Sequence, residues 1–165
     1  MTVLAELSVR HGRDAVAFYI AAFGATIVYQ VGGTDGHPEI VAELALGQTS
    51  FWVSDEAPAF GNFSPESLGG TSVRLLLRVD DPTAVQARAV ALGAKEVDTV
   101  KSSHGWLMGR IIDPFGHDWK TGKPFVHMNQ CPLAVTIIGC VYIMIGAIGF
   151  AYPSPTRQIL DIIFG

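Results

Sequence analysis

Charge is scarce in this sequence of 165 residues: Asp, Glu, Lys and Arg make up 16%, against about 25% in an average globular chain. The shortage is local, because not one of the four occurs between Pro124 and Thr156. No basic run appears and the net charge is −4, so nucleic-acid binding, which needs clustered Lys and Arg to displace counterions, is disfavoured. Cysteine is limited to Cys131 and Cys140. Two cysteines nine apart on one helix cannot close a disulfide, and no Cys-rich zinc pattern exists, so the redox compartment stays open. There is no Gly-x-Ser-x-Gly elbow, no phosphate-cradling glycine loop and no cysteine in a polar, activating setting, so nothing points to nucleophilic catalysis. The start, MTVLAELSVRHGRD, has neither the basic region nor the apolar core of a signal peptide.

The uncharged stretch predicts one transmembrane helix. Residues 132–152 read PLAVTIIGCVYIMIGAIGFAY, and at 1.5 Å per residue they reach roughly 31 Å, the thickness of a hydrocarbon core. Pro132 suits a first helical turn, and Pro153 and Pro155 end the helix. No face is polar, as it would be on a soluble amphipathic helix, although a buried core helix or C-terminal strand is the competing reading. Thr136, Gly139, Gly146 and Gly149 fall near one side, where small residues let another membrane helix approach. These positions predict an integral-membrane protein partner and contact with lipid. Lys120 and Lys123 before the helix, against Arg157 after it, place the larger domain on the cytoplasmic (or stromal or matrix) side. The tail, 153–165, is apolar enough to lie in the interface or on a partner.

The remainder carries an internal repeat. Asp14–Ala25 (DAVAFYIAAFGA) and Thr83–Ala94 (TAVQARAVALGA) are 69 positions apart and share five of twelve residues. Each is an amphipathic helix, with Ala15, Val16, Tyr19 and Phe23 on the apolar face of the first and Val85, Ala89 and Leu92 on that of the second. Gly24 and Gly93 supply the C-terminal left-handed residue, and Asp81 with Pro82 forms an N-cap and first-turn pair. Strand patterns precede each helix (3–9 and 72–79), and three follow each (26–31, 39–46, 49–54 and 95–99, 106–112, 117–121). Gly32–Gly36 reads as a strand-connecting turn, and residues 55–71 link the halves. The predicted class is therefore α+β: two βαβββ half-barrel modules in residues 1–124, a linker at 125–131, the membrane helix at 132–152 and the tail.

This duplicated order resembles the vicinal oxygen chelate superfamily, which includes glyoxalase I, bleomycin-resistance proteins and extradiol dioxygenases, and within it the PhnB-like branch. The likeness is carried by Ala17-Phe18-Tyr19, Ala22-Phe23-Gly24-Ala25, Ala42-Glu43-Leu44, the loop from Ser64 to Gly70, and Asp113-Pro114-Phe115-Gly116-His117. It implies that each concave sheet lines a cavity, and that metal-using members place His, Gln or Glu on the first strand of each half and on the last. In this sequence those positions fall at Leu4 (or Ala5), Arg74 and Lys120. An aliphatic, a guanidinium and an ammonium cannot hold a divalent cation, so no metal and no cofactor is expected. A slip of one residue would bring in Glu6 or Asp118, but a one-residue slip turns a strand side chain to the opposite face.

Single residues divide in the same way. Glu43 is a candidate general base if it faces the cavity, and ordinary alternation if it faces solvent. Trp52 and Trp106 are candidate pocket walls, with core packing as the alternative; Trp119 defaults to the core. Arg74 and Arg78 share a strand face and either bind an anion or pair with an acid. His117 is read as closing the Asp113–His117 turn; His11 as a capping or surface residue; His37 and His104 as surface residues; His127 as interfacial. The missing ligands and the added helix together predict a non-catalytic accessory or scaffold subunit of a membrane complex. An enzyme or a ligand-sequestering protein of the same superfamily is the alternative, and a homodimer is one way to complete the barrels.

Overall fold

The computed structural model describes residues 1–124. The predicted linker at 125–131, the membrane helix at 132–152 with Thr136, Gly139, Gly146 and Gly149, and the tail lie outside them. Among the described residues no helix is long and apolar enough to cross a membrane.

The first half runs β1 (Glu6–Val9), α1 (Gly12–Phe23), β2 (Thr26–Thr34), β3 (His37–Leu46) and β4 (Thr49–Asp55). A 3-10 turn at Pro58–Phe60 and the short helix α2 (Pro65–Leu68) lead across. The second half repeats the order as β5 (Arg74–Arg78), α3 (Pro82–Ala91), β6 (Lys95–Ser103), β7 (Trp106–Ile112) and β8 (Asp118–Pro124). Each half is a four-stranded mixed sheet, ordered β1-β4-β3-β2 and β5-β8-β7-β6, with one parallel pair made by the first strand. This is the expected pair of βαβββ modules.

Local chemistry explains the element ends. α1 closes at Gly24, left-handed at φ 74°, whose N–H reaches the Ile20 carbonyl. Asp81 caps α3 by accepting from the Ala84 N–H at 3.0 Å, with Pro82 in the first turn. Ser64 caps α2 in the same way. His11 stands at the N-cap of α1, but its ring makes no cap bond; the Asp55 carboxylate takes the Gly12 N–H at 2.9 Å instead. Strand ends differ from expectation. β1 begins only at Glu6, and β2 runs through Gly32 and Gly33 to Thr34, so that the turn narrows to Asp35-Gly36 and His37 opens β3. Both glycines take positive φ, 74° and 73°, which lets the strand bulge rather than stop.

The core lies where the helices meet the sheets. α1 packs on β3 and β4 and touches α3, which packs on β6, β7 and β8. Leu7, Val9, Ile40, Ala42, Leu44, Phe51 and Val53 point to α1, as strand alternation requires. Tyr19, Phe23, Phe51, Phe115 and Trp119 form one aromatic cluster shared by both halves. Burying a large apolar side chain of this kind contributes roughly 1.5–3 kcal/mol. Leu92, expected on the apolar face of α3, is instead 46% exposed. The helix stops one residue earlier, so Leu92 is its C-cap and Gly93 follows at φ 104°.

Candidate functional site

Since helices cover one face of each sheet, the chemistry available to a ligand lies on the other two faces. On the first sheet, strand register sets Glu6 beside Trp52, Trp52 beside Glu43, and Glu43 beside Tyr29. This row crosses all four strands. Tyr29 and Trp52 rings lie 5.7 Å apart, Ser50 donates to Glu43 Oε1 at 2.6 Å, and Ser54 donates to Glu6 Oε1 at 3.1 Å. Glu43 therefore faces the side that no helix covers, as a general base would require, and so does Trp52. Glu6 shares that face.

On the second sheet the uncovered face is basic. β5 presents Arg74, Leu76 and Arg78, while Leu75 and Leu77 turn to the core. β8 presents Asp118 and Lys120, in register with Arg74 and Leu76, while Trp119 and Thr121 turn inward. β7 adds Trp106, Met108 and Arg110, with Arg110 beside Lys120. Arg110 grips Asp118 with both Nε and Nη2, at 3.0 Å to Oδ1 and 2.7 Å to Oδ2. Arg74 Nε reaches Asp118 Oδ2 at 3.0 Å. The Arg110 guanidinium is the first cause holding the Asp118 carboxyl below its ordinary range, and Arg74 adds to it against the cost of partial burial. Arg78 lies 5.9 Å above the Trp106 ring, a cation–π arrangement. Asp98 stands opposite Arg110 on β6. The cations Arg74, Arg78, Arg110 and Lys120 still outnumber the carboxylates Asp118 and Asp98.

The candidate pocket residues thus divide between two faces of one chain. Trp52 and Glu43 belong to the first sheet, Arg74 and Trp106 to the second, and the structure does not bring the two groups together. Trp119 goes to the core. One expectation is overturned: Asp118 does not turn away from Lys120, because the two are two positions apart on one strand and share a face. Arg110, central to the basic face, was not singled out from sequence; its alternation with Met108 along a strand that also holds Gly109 was the available signal.

The metal-ligand positions fit no divalent ion. Leu4 precedes β1 and is 42% exposed, and Arg74 and Lys120 are both cationic. Among the described residues no three His, Cys, Asp or Glu side chains gather to hold a metal ion. His117 is 8% exposed in the turn assigned to it: its N–H goes to Asp113 Oδ1 at 2.9 Å and its Nε2 lies 3.1 Å from the Ser8 carbonyl. It borders a cleft of about 350 Å³ formed with Glu6, Ser8, Phe63, Leu68 and Val73.

The model of the glyoxalase-like domain family matches residues 3–121. The chain belongs to that family. An uncharacterised protein of Mycobacterium bovis is 35% identical over 129 residues, which cover 76% of this chain and 84% of that protein. The X-ray structure of an Arabidopsis thaliana gene product superposes with a TM-score of 0.57 at 30% identity, covering 74% of this chain and 98% of that one. FosX, a fosfomycin resistance protein of Mesorhizobium loti, superposes with a TM-score of 0.55 over 81% of this chain and 97% of its own, at 12% identity, a likeness of fold alone. The glyoxalase-like fold is thus reached from strand order and from comparison alike. Within this glyoxalase-like chain, the candidate site residues lie on two helix-free sheet faces, one acidic and aromatic, the other basic.

Proposed function

We propose that this glyoxalase-like domain of the PhnB-like branch binds a small organic ligand without a metal, in a cavity closed between two copies of the chain. The observation that carries the reading is the complementarity of the helix-free faces. Glu6 and Glu43 with Tyr29 and Trp52 stand on the first sheet; Arg74, Arg78, Arg110 and Lys120 with Trp106 stand on the second. Opposite charges steer two surfaces together and fix their register. Exposed Tyr29, Val31, Val41 and Leu76 add apolar area that a second copy would cover. The test is light scattering on the full chain in mild detergent. Two chains per particle are expected, with dissociation on Glu43→Arg; a monomer at all concentrations rejects the closed cavity.

A second reading concerns location. The 21 uncharged residues at 132–152 and their small-residue side favour a membrane tether beside an integral-membrane partner, with the ligand-binding domain as an accessory subunit. Carbonate extraction of native membranes tests it. Retention in the pellet is expected, and loss of retention after deletion of residues 132–165; release of the full chain into the soluble fraction rejects the tether.

A further inference from the structure

We propose that the helix-free face of β5, β7 and β8 is an anion site that takes a small organic acid, its carboxylate against Arg74, Arg110 and Lys120 and its apolar body over Leu76 and Met108 toward Trp106. The argument begins with donors. A guanidinium carries five N–H groups and accepts nothing. Arg110 spends Nε and Nη2 on Asp118, and Arg74 spends Nε on the same carboxylate. Among the described residues, Arg74 Nη1 and Nη2, Arg110 Nη1 and the Lys120 ammonium have no acceptor.

Asp118 orients these groups and, with Asp98 opposite Arg110, offsets two of the four positive charges on this face. Its own side chain is 9% exposed, whereas Arg74 is 45% and Arg110 28% exposed, so the carboxylate sits beneath and the guanidiniums reach outward. Holding Arg side chains in place from below lowers the entropy lost when a second carboxylate arrives. Lys120 stands between Arg110 and Leu76 in register and completes the cationic rim. Along β7 the surface then turns apolar, through Met108 to Trp106, four positions from Arg110, or about 13 Å at strand rise. Arg78 lies over Trp106 and closes that end. A charged head followed by a flat or extended hydrocarbon body matches this order; a bare inorganic anion leaves half of it unused.

The proposal deepens the ligand-binding reading above and stands apart from the closure by a second copy. The experiment is calorimetric titration of the full chain in mild detergent with phenylpropionate and with its neutral amide, phenylpropionamide, at low and high salt. The acid is expected to bind at least tenfold tighter than the amide, with the advantage shrinking in salt. Lys120→Met is expected to remove about tenfold of that affinity for the acid while leaving the amide and the melting temperature unchanged. Equal affinity for acid and amide, an acid affinity unmoved by Lys120→Met, or no binding of either at millimolar concentration overturns the proposal. Light scattering on the same samples separates the two readings: a dimer without acid preference sinks only the anion site. A monomer whose acid preference is lost with Lys120→Met sinks only the closed cavity.

Discussion

Tyr19 on α1 donates its phenolic hydrogen to Asp113 Oδ2 at 2.7 Å, joining residues 94 positions apart and tying the two halves of the fold. The Asp113 carboxylate, 3% exposed, also accepts from Trp119 Nε1 at 2.8 Å and from the Phe115 and His117 N–H groups at 3.0 and 2.9 Å. Tyr19→Phe keeps the ring packing and removes one donor. Its expected cost is about 1.5–3 kcal/mol, the net worth of a hydrogen bond to a charged acceptor. Asp113→Ala strands four donors and is expected to cost more, about 3–4 kcal/mol. Urea denaturation followed by tryptophan fluorescence reads both, and a Tyr19→Phe cost below about 0.5 kcal/mol would show that the tie carries no weight.

Asp113 shows where sequence reading stops. The turn from Asp113 to His117 was legible because its signals are local: a proline corner, a positive-φ glycine and a short acid. The Tyr19 partner was not, since nothing in a linear pattern names a contact across that distance. The repeat behaves likewise. Its 69-residue spacing holds for the strands that follow the helices, Thr26 and Lys95. The helices themselves start 70 apart, at Gly12 and Pro82. Packing follows the second spacing, so Val16 and Tyr19 correspond to Gln86 and Ala89, all buried. Alignment on the shared Gly-Ala therefore put Leu92 in the core and missed Gln86. Of the candidate site, face and charge were legible at Arg74 and Arg78 through strand alternation, whereas the shared acid Asp118 needed register between β5, β7 and β8.

Gly116 and Gly24 separate two costs of a side chain. Both have positive φ, 88° and 74°. A Cβ at Gly116 would lie 2.8 Å from Pro65 Cβ, while one at Gly24 would meet nothing within 4 Å. Gly24→Ala is expected to cost about 1 kcal/mol, from backbone strain alone. Gly116→Ala is expected to cost about 2–3 kcal/mol, because α2 must also move. Thermal melts compare them, and equal costs would mean that α2 yields freely.

Stability should fall at both ends of the pH scale. Hydrogen bonds from the Ser67 hydroxyl first, then the Ser64 N–H, lower the Glu56 pKa from 4.5 to about 2. Asp118 is lowered too, chiefly by Arg110. A carboxylate depressed on folding contributes stability above its unfolded pKa and loses it as pH falls through the folded value, so this loss runs from about pH 4.5 down to about 2. Glu56→Gln is expected to flatten part of that slope. Tyr19 has the opposite sign: burial, with Asp113 second, raises its pKa well above 10.0, so its contribution is complete below pH 10.0 and is lost above it. Urea midpoints measured across pH for the wild type, Glu56→Gln and Tyr19→Phe check both limbs.

Gln86 gives the sharpest test of the second module, since it is a polar side chain 2% exposed beneath β7. Its Nε2 donates to Glu96 Oε2 and to the Asp98 carbonyl, each at 2.8 Å, and its Oε1 accepts from the Thr121 hydroxyl at 3.1 Å. Gln86→Leu orphans the buried Thr121 hydroxyl and leaves the Glu96 and Asp98 oxygens, on exposed residues, to water; it is expected to cost about 1–3 kcal/mol, part of which Thr121→Val should restore by removing that hydroxyl. Gln86→Glu is nearly isosteric but sets a second carboxylate against Glu96. At pH 7 it should destabilise the protein by more than Gln86→Leu does. On acidification toward pH 5 the two carboxyls share a proton and the penalty should shrink. A Gln86→Glu cost that is the same at pH 7 and pH 5, in paired urea titrations against the wild type, would mean that Glu96 does not receive the Gln86 amide in solution.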